Sequence, residues 1–152
     1  MTDSDTLITD TTDRIFRELA QPQAIIASVD DNWEASLWRE LEEAGLTLAW
    51  VPEDRGGAGA EVKDGFNILE VAGRYAVSVP LGETLLAGWL LAKVGLKSPP
   101  GPMIVALGGN DQPLTLKDEK LYGSLRGISS RTAIHHLVCL AIGDQGLQVS
   151  VV

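Results

Sequence analysis

A chain of 152 residues, 45% hydrophobic and 22% charged, has the length of one domain or one and a half small ones, and its composition is that of an ordinary globular protein. Its formal net charge of −9 argues against a nucleic-acid backbone or an anionic membrane as main partner, because both reward clustered Lys and Arg. The single cysteine, Cys139, excludes an intrachain disulfide and a thiolate zinc cage; within the run HLVCLAI it reads as packed core rather than nucleophile.

The opening MTDSDTLITD is acidic and polar, so no secretory signal is expected. Leu7, Ile15, Phe16 and Leu19 predict a first helix ending before Pro22, with a restart allowed at Thr11 or Thr12. Asp30 or Asp31 is the expected N-cap of a second helix through NWEASLWRELEEAG. Trp33, Leu37, Trp38, Leu41 and Ala44 recur every three or four residues there, forming one buried stripe, and Gly45 supplies a left-handed C-cap. The stretch VPEDRGGAG, residues 51–59, then interrupts the helical pattern. Pro52 fixes the backbone, Glu53 and Asp54 can accept from free turn amides, and Gly56, Gly57 and Gly59 permit positive φ and close approach. No strand precedes it, and no Gly-Lys-Ser/Thr follows, so it is neither a dinucleotide fingerprint nor a Walker loop.

A third helix reads from Val62 to about Ala76 with Val62, Phe66, Leu69 and Ala72 inward. A fourth runs from Leu81 to Val94 and is apolar nearly all round, which predicts burial on most sides. The longest apolar stretch, LLAGWLLAKVGL, is broken by Lys93 and too short to cross a bilayer, so the expected compartment is the cytoplasm. At Ser98-Pro99-Pro100-Gly101-Pro102 the character changes from helical to β. Residues 1–98 are therefore expected as a helical domain and 99–152 as a partial β region. Strands are expected near Met103–Leu107, Leu114–Leu116, Leu121–Ile128, Leu137–Ile142 and Leu147–Val152, the last two joined by a turn at Gly143–Gly146. The final strand ends in an uncharged Val-Val edge, which predicts that the fold continues or that another chain covers it.

The order of these signals is more specific than any one of them. Glu-x-Gly-Leu at Glu43–Leu46, the Val51–Gly59 loop, Glu-x-x-Gly-Arg at Glu70–Arg74 and Pro-Leu-x-Glu-Thr at Pro80–Thr84 together resemble the N-terminal helical domain of the flavin-dependent acyl-CoA dehydrogenases. The resemblance is strong over residues 33–95 and weaker over 1–32. It implies an α+β chain: a dehydrogenase-like helical bundle followed by a partial antiparallel β domain, with the 51–59 loop as a fold-specific connector. For the intact enzyme it implies FAD, an acyl-CoA substrate and α,β-dehydrogenation of the thioester, in which a base takes the α-proton and the flavin takes the β-hydride.

Beyond Pro99 the match departs from the family. Where members carry a Leu-Thr-Glu-Pro segment that helps hold flavin, this chain has Ala106–Asp111; where they carry Gly-x-Lys-x-Trp-Ile-Ser/Thr, it has GSLRGIS, with Leu125 for Lys and Gly127 for Trp. Ile128 and Ser129 remain, and Ser129 is the one cofactor-binding candidate. Losing the tryptophan removes a flat contact surface, so FAD binding by this chain alone is not expected. The family's catalytic glutamate belongs to a C-terminal helical domain, and no residue here matches it, so no catalytic residue is expected in this chain. Glu53, Glu70 and Glu83 read as cap and packing partners. The departures are similar to those of the subfamily in which two unlike chains pair, often on steroid acyl-CoAs. That implies a homo- or hetero-oligomer with a catalytic dehydrogenase subunit; the other reading is a non-catalytic interaction module or fragment.

Other candidates carry less. His135 and His136 are adjacent, so on a strand they point to opposite faces and make a poor joint metal site. Trp33, Trp38, Trp50 and Trp89 read as core rather than a stacking platform. Arg74 is expected to pair with Glu70 in a buried i, i+4 contact, and Arg131 is the better candidate for an anion.

Overall fold

The computed structural model describes residues 3–21, 26, 33–76, 79–109, 112–125, 128 and 134–152, with side chains from residue 6 on. Helix α1 (Asp3–Leu19) buries Ile15 and Phe16 near its C-terminal end, while Leu7 is 68% exposed. It runs unbroken through Thr11 and Thr12, where the sequence allowed a restart. Buried Thr12 is accommodated because its hydroxyl donates to the Ile8 carbonyl at 2.7 Å, inside the helix. Helix α2 (Trp33–Glu43) buries Leu37, Trp38 and Leu41, as the stripe predicted. Its end is a Schellman motif: Gly45, at φ +71, donates to Glu42 and Leu46 donates to Leu41, each at 2.9 Å. The Asp30 and Asp31 cap candidates, and Pro22, lie outside the described residues.

Helix α3 (Val62–Tyr75) is present, but its inward face is turned from the expected one. Asp64, Gly65, Ile68 and Val71 are buried and Leu69 and Ala72 half-buried, whereas Val62 and Phe66 are 59% and 58% exposed. The cause is Trp50. Its indole lies directly on Gly65, where any Cβ would collide with the ring, and its N–H donates to the Val62 carbonyl at 3.1 Å. Phe66 packs edge-on against that ring at 5.3 Å between centroids, so it covers Trp50 and does not enter the core.

Helix α4 (Leu81–Lys93) is also less enclosed than its composition suggested. Leu81, Thr84, Leu85, Ala87, Gly88 and Leu91 are buried, but Leu86 and Trp89 are exposed on the far side. The reason is geometric: the other helices and the sheet all approach from one side. Ile15, Phe16, Leu37, Leu41, Ile68 and Leu85 form one core among the four helices. Ala87 and Leu91, further along α4, pack with Met103 and Val138 of the sheet in a second.

The sheet comprises β1 (Met103–Leu107), β2 (Leu114–Lys117), β3 (Lys120–Tyr122), β4 (His136–Gly143) and β5 (Gly146–Val151). It is mixed, not antiparallel throughout. β4 is central: β5 pairs antiparallel along one edge, while β1 and then β2 pair parallel along the other. A parallel pairing of β1 with β4 requires a long crossover, and residues 108–135 provide it. Alternation of apolar residues reports strand and face but not direction, which is why the parallel pairing was not expected.

The expected strand Leu121–Ile128 is shortened to Lys120–Tyr122 because the chain bends at Gly123, φ +138. β2 and β3 instead form a hairpin through Asp118 and Glu119, both at positive φ (49 and 58), as a two-residue type I′ turn requires. The β4–β5 hairpin turns at Asp144–Gln145 with Gly143 opposite Gly146, as predicted.

Candidate functional site

The loop from Val51 to Gly59 consumes its own donors. Arg55, Gly56 and Gly57 donate to Pro52, Glu53 and Pro52 respectively; Ala58, Gly59 and Ala60 donate back to Leu48, Val51 and Ala49 at 3.2, 2.8 and 2.9 Å. An anion cradle needs amides pointing outward, and six successive N–H groups here point inward. Gly57 is required for this folding: a Cβ at that position would collide with the Val51 carbonyl. Glu53 opens a single 3-10 turn, Glu53–Arg55, and is exposed. The loop is thus a self-bonded connector between α2 and α3.

Thr84, the last residue of the Pro80–Thr84 motif, ties the two halves together. Its buried hydroxyl donates to the Met103 carbonyl at 2.9 Å and accepts from the Met103 N–H at 3.0 Å, fixing α4 to the first residue of β1. Glu42, at the end of α2, adds a second strap by accepting from the Gly101 N–H at 2.8 Å. Neither role was read from the sequence. The signal that could have found Thr84 is a hydroxyl among leucines on a helix face otherwise destined for burial, where it must find a partner.

Between α1 and α3 lies an open groove of about 430 Å³ lined by Thr9, Asp10, Asp13, Asn67, Glu70 and Arg74. Two of its carboxylates, Asp13 and Glu70, are already engaged. Asp13 accepts from the Tyr75 hydroxyl at 2.8 Å and from Arg17, and both hold its carboxyl below the ordinary value of 3.8, the tyrosine first. Burial, then the bond to Asp13, pushes the Tyr75 hydroxyl up from 10.0. Arg74 pairs with Glu70 at 2.8 Å, as the i, i+4 spacing predicted, but both side chains are exposed rather than buried. Glu83 is likewise exposed, in the first turn of α4. None of the three motif glutamates faces an enclosed cavity.

The remaining candidates resolve similarly. The rings of His135 and His136 stand 6.4 Å apart at 82°, and among the described residues no group of His, Cys, Asp and Glu could hold a metal. Trp38 is buried and Trp33 and Trp50 pack against the helical core, but Trp89 is 37% exposed, with Lys93 5.3 Å over its ring. Cys139 is fully buried between β1 and β5, and burial pushes its thiol up, away from the reactive thiolate. Among the described residues, no helix is long and apolar enough to cross a membrane.

Ser129, Gly127 and Arg131 lie outside the described residues, as do Asn110 and Asp111. Of the two segments 106–111 and 123–129, residues 106–109, 123–125 and 128 are described, and the exposed Ser124 holds the one side-chain hydroxyl among them. A flavin site needs several such partners and a flat apolar surface, and the described residues of these segments offer one side-chain hydroxyl towards it.

Residues 2–98 match the family model "Acyl-CoA dehydrogenase, N-terminal domain". The chain belongs to the acyl-CoA dehydrogenase family. It is 33% identical over 102 residues to acyl-CoA dehydrogenase IpdE2 of Mycolicibacterium smegmatis, covering 65% of this chain and 33% of that protein. To IpdE2 of Mycobacterium tuberculosis it is 34% identical over 84 residues, covering 53% and 26%. Among solved structures it is similar to a variant of the steroid ACAD Tcur3481–Tcur3483, with TM-score 0.70 and 26% identity over 99% of this chain and 48% of that one. The ChsE4–ChsE5 complex from Mycobacterium tuberculosis shares the fold, with TM-score 0.72 and 21% identity over 100% of this chain and 47% of the other. The chain therefore spans about half the length of these solved chains and a third or less of the curated relatives. Intact members of the family bind FAD.

Proposed function

We propose that this chain supplies the N-terminal helical domain and the start of the β domain to an enzyme that α,β-dehydrogenates acyl-CoA thioesters, and that it does not catalyse alone. One observation carries the reading: nearly the whole chain superposes on a steroid acyl-CoA dehydrogenase, yet it accounts for only 48% of that chain. The chemistry needs a carboxylate within reach of the substrate's α-carbon. Glu53, Glu70 and Glu83 are exposed, and Glu70 is already held by Arg74. The base and most flavin contacts then come from elsewhere, either the rest of a longer chain or a dehydrogenase subunit paired with this one. The name of the similar structure supports steroid-derived acyl-CoA as the substrate class.

Charge fits this division of labour. Residues 1–98 hold seventeen Asp and Glu against eight Lys and Arg, while residues 99–152 balance at four of each. An acidic helical half repels the phosphates of CoA, so its part is to wall the site rather than to grip the nucleotide.

The test is turnover of a steroid side-chain CoA thioester with excess FAD and a one-electron acceptor. The 152-residue chain alone is expected to give none. Co-expression with the dehydrogenase chains of its own genome, or extension by its genomic continuation, is expected to give turnover that a Thr84→Val change weakens. Turnover by the isolated chain would overturn the reading.

A further inference from the structure

No further inference is drawn: the strongest candidate, the open groove between α1 and α3 lined by Thr9, Asp10, Asp13, Asn67, Glu70 and Arg74, is a cluster of acidic side chains in which Tyr75 and Arg74 already hold Asp13 and Glu70, and none of the described residues with a buried, unpartnered polar atom (Trp38, Asp64 and Ser98) lines it.

Discussion

Replacing Thr84 with valine keeps the shape of the side chain and removes only its hydroxyl. That hydroxyl is 1% exposed as part of its residue and makes both a donated and an accepted bond to Met103, itself fully buried. No water can reach either Met103 group once the hydroxyl is gone. Each buried group left unpaired costs about 1–3 kcal/mol, so the pair is expected to cost about 2–6 kcal/mol. Thr84→Ser keeps both bonds and loses one methyl, at a cost of about 1 kcal/mol. For a chain of this length that separates the variants by several degrees, since each kcal/mol moves Tm by about 2–4 °C. Calorimetric melting gives the order, wild type above serine above valine. Hydrogen exchange at the Met103 amide locates the effect, which should be faster in the valine variant alone. Valine melting within a degree of wild type, or serine falling as far as valine, would refute the view that this hydroxyl fixes the helical half to the sheet.

Gly65→Ala is expected to cost about 1–3 kcal/mol, because the new methyl must displace the Trp50 indole and break its bond to Val62; tryptophan fluorescence should shift with it. Asp13 has a lowered native pKa, so its contribution is present above the ordinary value of 3.8 and is lost as pH falls through the native value. The stability gap between wild type and Asp13→Asn should therefore close on acidification below about pH 4, as urea titrations would show. Tyr75 is shifted upward, so its contribution is full below pH 10.0 and is lost as pH rises through the native value; Tyr75→Phe should show no such alkaline loss.

The helical half was largely legible because its signals are local. Gly45 ended α2, Pro52 and the glycines broke the chain, and the apolar stripe of α2 faced the core as read. What failed was rotation. Val62 and Phe66 satisfied the helical period of α3, but Trp50, twelve residues before Val62, took the space over Gly65 and left both outside. The leucines of α4 likewise reported a helix without reporting how many neighbours it has.

In the β half, strand positions followed from composition while direction did not, since a crossover of residues 108–135 decides it. The Asp118–Glu119 turn lacks the usual Asn-Gly signal and was missed for that reason. Of the motif residues, the Glu70–Arg74 pair followed from its i, i+4 spacing, though its exposure did not. How Thr84 and Glu42 act became visible only once Met103 and Gly101, nineteen and fifty-nine positions away, were placed beside them.

The proposed function makes this chain part of a flavoenzyme whose flavin contacts come mostly from elsewhere. Isothermal titration of FAD into the purified 152-residue chain tests it most directly. Loss of two or three contacts at about 1–3 kcal/mol each weakens affinity by roughly two to five powers of ten, so no saturable heat is expected at micromolar concentrations. Stoichiometric, submicromolar FAD binding by this chain alone would contradict the account.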